Sequence, residues 1–551
     1  MIYPKIPLAQ SIIEICRAKG VTDIVISPGS RNAPLTIGFA NNPEFSCYSI
    51  ADERCAAFFA MGMAQQLRKP VAVLCTSGSA LLNYYPAVAE AFYSQIPLVV
   101  ISADRPHDKI DIGDGQTIRQ ENVYANHILY SANLTEEASA ENDNKINIAI
   151  EKAVTAKGPV HINVPFEEPL YETVEAITVN PLIQDITFEN HFAEDLSPYI
   201  EKWNAAKKKL ILIGVNYPGT LDAAVIEKLA ADPSVVVMTE ATSNLHHYSF
   251  LNSIDVIITP FSEQDFIDFQ PDILITFGGM VVSKRIKAFL RDYKPAEHWH
   301  IDTLRAYDTF DALTQHVLAE PHKFFTNLLQ YTIVVESNYN KRAQEIKAYR
   351  KLKNDKYLKE IPFSDFKAFE MILPALKDYS QLQISNSAAI RYLQLFDVNP
   401  TVQVFCNRGT SGIDGSTSTA IGAAMASGKE TVLVTGDVSF FYDSNALWNS
   451  YIPENFKIII INNGGGGIFR ILPGHQENPV FNTYFETTHQ LNAAHLAKMY
   501  GFEYHSASDG EGLREQLSGF MENSGRPKIL EIFTPLHTND IVLKQYFKEL
   551  A

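Results

Sequence analysis

Short apolar runs of strand length, each closed by a loop of Gly, Ser, Asp, Asn or Pro and followed by a helical stretch, recur along the chain. This alternation restricts the fold more than any other feature, because strands separated by helices must lie parallel in a sheet covered on both faces. The first set occupies residues 23–27, 45–50, 71–75, 98–102 and 160–164. Their loops include Pro28-Gly29-Ser30-Arg31, Thr76-Ser77-Gly78-Ser79 and Asp104-Arg105-Pro106, and Asp52-Glu53 opens a helix rich in Ala and Met. A looser acidic stretch, 169–201, reads as a linker. A second set lies at 209–213, 235–238, 273–277 and 299–301, and a third at 402–405, 431–435, 457–461 and 529–532. Between these two sets, residues 337–359 are rich in Lys, Arg, Glu and Tyr and read as a solvated connecting helix. The pattern predicts three doubly wound α/β domains with parallel sheets, spanning 1–180, 195–335 and 360–551.

Composition narrows the function. With 46% hydrophobic and 20% charged residues the chain reads as an ordinary globular protein. No apolar run approaches the ~18 residues of a membrane span, and the N-terminus lacks the pattern of a secretory signal, so a cytoplasmic location is expected. Five cysteines, Cys16, Cys47, Cys55, Cys75 and Cys406, are scattered without Cys-x-x-Cys spacing, which argues against a disulfide framework or a zinc ribbon. A net charge of −17 disfavours nucleic acid and anionic membranes as partners while leaving room for a locally basic pocket.

Two strand ends carry chemistry. Gly436-Asp437-Val438 follows the run at 431–435, and Asn462-Asn463, with glycines at 464–467, follows the run at 457–461. A right-handed crossover makes these strands parallel, so both ends open on the edge where such sheets bind ligands. Asp437 offers a carboxylate, Asn463 an amide oxygen and the glycines an uncrowded backbone, a set suited to a hard divalent ion beside a diphosphate. Taken alone the pattern is weak, because turns use the same residues for conformational reasons.

The pair resembles the signature of thiamine diphosphate enzymes, Gly-Asp-Gly followed some two dozen residues later by Asn-Asn, with Val438 departing from it at the third position. The resemblance implies that Asp437, Asn463 and the carbonyl of Gly465 hold Mg²⁺, with Mn²⁺ as an alternative. It also implies that Glu53, at a helix start in the first domain, activates thiamine diphosphate through its aminopyrimidine ring. From periodicity alone, Asp52 and Glu53 are better explained as residues that complement the positive end of a helix, and it is the metal motif that reverses the balance.

Further motifs are Ser27-Pro-Gly-Ser-Arg31, Asp52-Glu53-Arg54, Ala103-Asp-Arg-Pro106, Gln116, Ser283-Lys284-Arg285, Asn386-Ser387 with Arg391, Asn407-Arg-Gly-Thr-Ser-Gly-Ile-Asp-Gly415, and Gly467-Ile-Phe469 with Leu472-Pro473. Together they resemble those of one family, the 2-succinyl-5-enolpyruvyl-6-hydroxy-3-cyclohexene-1-carboxylate synthases of menaquinone biosynthesis. The resemblance implies decarboxylation of 2-oxoglutarate and 1,4-addition of the succinyl carbanion to isochorismate. Such a pocket binds several carboxylates, and arginine suits them through its planar fork.

By the same resemblance, Ser30, Arg31, Arg105, Gln116, Lys284 and Arg285 face the second substrate. Ser387, Arg391 and Arg408 serve mainly the acceptor and succinyl carboxylates, while Ile468, Phe469 and Leu472 form an apolar wall, with Ile468 and Phe469 also touching the cofactor. Gly115 stands before Gln116 where this family has Asn. Gly278-Gly279 has no accompanying dinucleotide fingerprint, and no flavin is assigned. The family splits its sites between subunits, so a homodimer or homotetramer is expected. Two rivals remain open: a thiamine enzyme acting on pyruvate or a related 2-oxo acid, and a non-catalytic protein that keeps the fold.

Overall fold

The computed structural model describes residues 2–188, 195–471, 474 and 476–551. Three all-parallel sheets dominate it, each flanked by helices. The first runs across space in the order Ser46–Ser49, Asp23–Ile26, Val71–Cys75, Leu98–Asp104, Val160–Pro165, Ser131–Asn133. The third runs Gln403–Phe405, Gln381–Ile384, Thr431–Gly436, Lys457–Asn462, Lys528–Phe533, Glu503–Ala507. Numbered by sequence within each sheet, both follow 2-1-3-4-6-5, so the first and third domains share one topology. The middle sheet follows 2-1-3-4-5, with Lys209–Ile213 and Ile273–Phe277 at its centre. In each sheet the strand order reverses between local strands 1 and 3, which opens a crevice at their carboxyl ends.

Among the described residues of these three sheets, four strands escape the hydrophobic pattern: Ser131–Asn133, Gln315–Val317, Gln381–Ile384 and Glu503–Ala507. Three of them lie at sheet edges, where one neighbour suffices and polar side chains reach water. Gln381–Ile384 is interior, and its glutamines are buried. The run at 431–435 passes straight into a short helix, Asp437–Tyr442, with a short 3₁₀ turn Ser444–Leu447 behind it. Asp437 is therefore a helix-start residue, not part of a free loop. The linker contains a two-residue strand, Thr173–Val174, paired antiparallel with Tyr3–Pro4, and ends in a helix Ser197–Ala205. The connecting helix spans Tyr339–Glu360 and buries Tyr339, Ala343, Arg350 and Leu358, so it packs as well as connects.

One core joins the first and third domains. Helix Glu53–Leu67 lies against helix Ser416–Ser427, and Cys55 to Ala64 share an apolar cluster with Ala420, Ile421, Ala424 and Ile458. Among the described residues no helix is long and apolar enough to cross a membrane.

Candidate active site

The crevice of the third sheet is a cavity of about 340 Å³, lined in part by Asn386, Ser387, Gly436, Asp437, Asn463 and Gly465 to Phe469. It sits where the strand order reverses, beyond the ends of Gln381–Ile384 and Thr431–Gly436. The two strand-end motifs meet here. Asp437 Oδ2 accepts the amide protons of Gly464, at 2.9 Å, and Gly465, at 3.0 Å. Its other oxygen accepts the Val438 amide at 2.7 Å. The carboxylate thus ties two neighbouring strand ends together while staying buried.

Asn463 is buried too, and its Oδ1 has no hydrogen-bond partner, whereas its Nδ2 donates to Asp365 Oδ2 at 2.9 Å. A buried carbonyl oxygen without a donor is costly unless something supplies a positive charge. Gly465 has φ +156, and a Cβ there would stand 2.7 Å from the Glu486 carbonyl, so only glycine fits this close approach. Asp437, the orphaned Asn463 oxygen and a side-chain-free backbone fit a hard divalent cation with a phosphate beside it. Among the described residues no group of three His, Cys, Asp or Glu side chains could hold a metal ion.

Around this core, His489 Nε2 lies 3.4 Å from Asp437 Oδ2, and the nearby carboxylate raises its imidazole above the ordinary range. Burial pushes the Asp365 carboxyl up to about 6. Ser387 has φ +69 with ψ −126, a conformation that side chains rarely adopt and that concentrates at functional sites. Its carbonyl accepts Arg391 Nη1 at 2.5 Å. Arg408 Nη1 donates to Asn386 Oδ1 at 2.7 Å, and Asn386 Nδ2 bridges the carbonyls of Asn407 and Gly412. Ile468 and Phe469 line the cavity. Leu472 and Pro473 lie outside the described residues.

A second constellation occupies the equivalent crevice of the first sheet. Arg31 is buried, with Nη1 on the Phe166 carbonyl at 2.9 Å and Nη2 3.2 Å from Glu168. Its amide donates to Thr76 Oγ1, joining the two loops at the strand reversal. Arg105 Nη1 donates to Ser77 Oγ at 3.0 Å and to the Gln116 carbonyl, and Gln116 Nε2 donates to the Ser77 carbonyl at 2.8 Å. Ser30 is exposed beside Arg31. Gly115 has φ +64, and a Cβ there would lie 2.9 Å from Arg105 Nη2. The glycine leaves room for the guanidinium, and Asn is the residue that best tolerates this backbone region otherwise.

Glu53 begins helix Glu53–Leu67 next to its N-cap Asp52, whose Oδ1 accepts the Cys55 amide at 3.2 Å. It is half-buried and close enough to act on the Cys75 thiol and Tyr84 hydroxyl, which burial pushes up. Glu53 does not line the Asp437 cavity of the same chain. Lys284 and Arg285 open helix Lys284–Asp292 behind the N-cap Ser283; both are exposed, and Arg285 lies 4.9 Å over the Phe547 ring. Ser283 bonds Asp255, a half-buried carboxyl near Arg285 and Arg391.

The motif reading missed Asp365, His489 and Glu90. Buried Glu90 accepts the amides of Gly409 and Thr410 and the Thr410 hydroxyl from another domain, holding the loop that carries Arg408. An isolated acid in a helical stretch carries no local signal of such a partner.

Three family models match the chain in order. Residues 6–126 match the thiamine pyrophosphate enzyme N-terminal TPP binding domain, 193–347 the middle domain of thiamine pyrophosphate enzymes, and 386–532 the C-terminal TPP binding domain. Fold and matches together define a three-domain thiamine diphosphate-dependent enzyme. Relatives named 2-succinyl-5-enolpyruvyl-6-hydroxy-3-cyclohexene-1-carboxylate synthase include proteins of Flavobacterium psychrophilum, 68% identical, and Flavobacterium johnsoniae, 66% identical, each over 100% of both chains. One from Bacteroides fragilis is 36% identical over 98% of both. The chain belongs to the 2-succinyl-5-enolpyruvyl-6-hydroxy-3-cyclohexene-1-carboxylate synthase family.

Proposed function

We propose that the chain catalyses thiamine diphosphate-dependent decarboxylation of 2-oxoglutarate and 1,4-addition of the succinyl unit to isochorismate, in menaquinone biosynthesis. The observation that carries this reading is one cavity with buried oxygen donors at its base and the guanidinium groups Arg391 and Arg408 beside it. Pyruvate chemistry needs no such set of cations.

Thiamine diphosphate, when bound, supplies a nucleophilic carbon and an electron sink for decarboxylation. Asp437, Asn463 Oδ1 and the Gly465 carbonyl would hold Mg²⁺, or Mn²⁺ in its place, against the diphosphate. The glycines at 464–467 admit the phosphates close to the backbone. The Glu53 carboxyl would pass its proton to the pyrimidine ring nitrogen. Ser387, Arg391 and Arg408 would orient the acceptor and succinyl carboxylates by charge-assisted hydrogen bonds. Ser30, Arg31, Arg105, Gln116, Lys284 and Arg285 would do the same for the second substrate, and Ile468, Phe469 and Leu472 would keep water from the reacting carbons.

Glu53 and Asp437 belong to the crevices of different sheets, which supports a site completed by a second copy. We therefore read the protein as a homodimer, or a tetramer built from it, in the cytoplasm, with domains 1–180, 195–335 and 360–551. The deciding experiment follows isochorismate consumption with Mg²⁺ and thiamine diphosphate in the presence of 2-oxoglutarate, of pyruvate or of neither. Consumption only with 2-oxoglutarate is expected. Pyruvate decarboxylation with isochorismate untouched would overturn the substrate assignment.

A further inference from the structure

We infer that Asp365 is a positioning residue that sets the orientation of the Asn463 carboxamide and thereby the metal affinity of the site. The inference rests on the reading of Asn463 as a metal ligand. A carboxamide has one end that attracts a cation and one that repels it, and the two are nearly equal in shape. Packing alone discriminates poorly between them, so a hydrogen-bond partner must choose.

Asp365 makes that choice. An ionised carboxylate only accepts, so the Asn463 group 2.9 Å from Asp365 Oδ2 must be the NH₂. Oδ1, on a residue that lines the cavity, is left with no partner. A Cβ on Gly467 would lie 3.1 Å from Asn463 Nδ2, so the glycine also leaves the carboxamide its room.

Asp365 is itself held from three sides. Its Oδ1 accepts the Thr534 hydroxyl at 2.5 Å, its amide donates to Asn539 Oδ1 at 2.8 Å, and Ser364 caps the helix it begins. Thr534 and Asn463 each lie just past one of two adjacent central strands, Lys528–Phe533 and Lys457–Asn462. The carboxylate therefore bridges both strand ends behind the cavity. It is 2% exposed, and among the described residues no cation pairs with it. Burying an unpaired carboxylate is expensive, and a cation held one residue away offsets that cost. Residues behind metal ligands typically alter affinity 10–100-fold when removed.

The test is a titration of the full-length protein with Mn²⁺ in the presence of thiamine diphosphate, counting free ion by its paramagnetic resonance signal. Asp365→Ala is expected to weaken Mn²⁺ binding about 10–100-fold. Asp365→Asn, whose amide oxygen can take the same bond while its NH₂ turns to the Thr534 hydroxyl, is expected to recover most of that loss. Equal weakening in both variants, or wild-type affinity in Asp365→Ala, would overturn the inference. Asn463→Ala runs in parallel. If it binds Mn²⁺ normally, the metal reading fails; if it weakens binding and Asp365→Ala does not, only the positioning role fails. Should Asp365→Ala not fold, Asp365→Ser decides: its shorter side chain leaves the bond to Asn463 Nδ2 unmade while keeping a polar group behind the strands, and unchanged Mn²⁺ affinity would overturn the inference.

Discussion

Gly62 and the carbonyl of Thr419 are pressed together so closely that a Cβ on Gly62 would stand 2.1 Å from that oxygen. Two helices from different domains meet here without side chains between them, and Gly422 makes the reciprocal approach, since a Cβ there would stand 2.0 Å from the Phe59 carbonyl. Gly62→Ala would push apart backbone, which cannot yield as a side-chain tip does. A loss of about 1–3 kcal/mol is expected in chemical denaturation. Because this helix begins with Glu53, turnover should fall as well; unchanged stability would show that the interface can slide.

Glu53→Gln keeps the shape of the helix start and removes the transferable proton. Thiamine diphosphate binding should remain within a few-fold of wild type while turnover drops by about 10²–10⁴. Near-normal turnover would remove Glu53 from the mechanism.

Asp437 links cofactor binding to stability. With thiamine diphosphate and Mg²⁺ at 100 times their dissociation constant, the folded state should gain about 2.7 kcal/mol, seen as a raised melting temperature that a chelator reverses. In Asp437→Ala the gain should vanish. A mixture of inactive Glu53→Gln and Asp437→Ala proteins, unfolded and refolded together, should regain activity if the two halves of a site come from different copies.

Glu90 offers a test of coupling across domains. Glu90→Ala strips acceptors from the buried amide of Gly409 and from Thr410, at about 1–3 kcal/mol for each group left unsatisfied. The loop beside Arg408 then loosens, so KM for the carboxylate substrates should rise more than kcat falls. An equal fall in both activity and folded fraction would mark Glu90 as structural only.

His161 is buried in strand Val160–Pro165, with Nε2 2.7 Å from Ser102 Oγ, and burial pushes its imidazole down to about 3. The unfolded chain takes up a proton there below about 6.5 while the folded chain refuses it until about 3. Unfolding therefore binds a proton in that window, and stability falls as pH drops through it, by at most about 1.4 kcal/mol per pH unit from this residue. His161→Gln should show a shallower acid limb in thermal melts; parallel limbs would refute the assignment.

The sequence by itself determined the three parallel sheets and the two strand ends that meet in the cavity. Runs such as Val71–Cys75, Lys209–Ile213 and Ile273–Phe277 are continuous and apolar because both faces of a parallel sheet are covered, so their limits are written locally. Asp437 and Asn463 were legible for a related reason, since parallel neighbours joined by one crossover must open on the same edge. Strands Gln381–Ile384 and Glu503–Ala507 were not legible, because interior glutamines and edge polarity hide the period. Only the tertiary structure decided that Asp365 stands behind Asn463, 98 residues away, and that Glu90 holds a loop of another domain, 319 residues away. Hydrogen bonds of that separation depend on how elements pack within a domain or how domains dock, and a single acidic residue in a helical stretch reads the same whether it faces water or a buried amide.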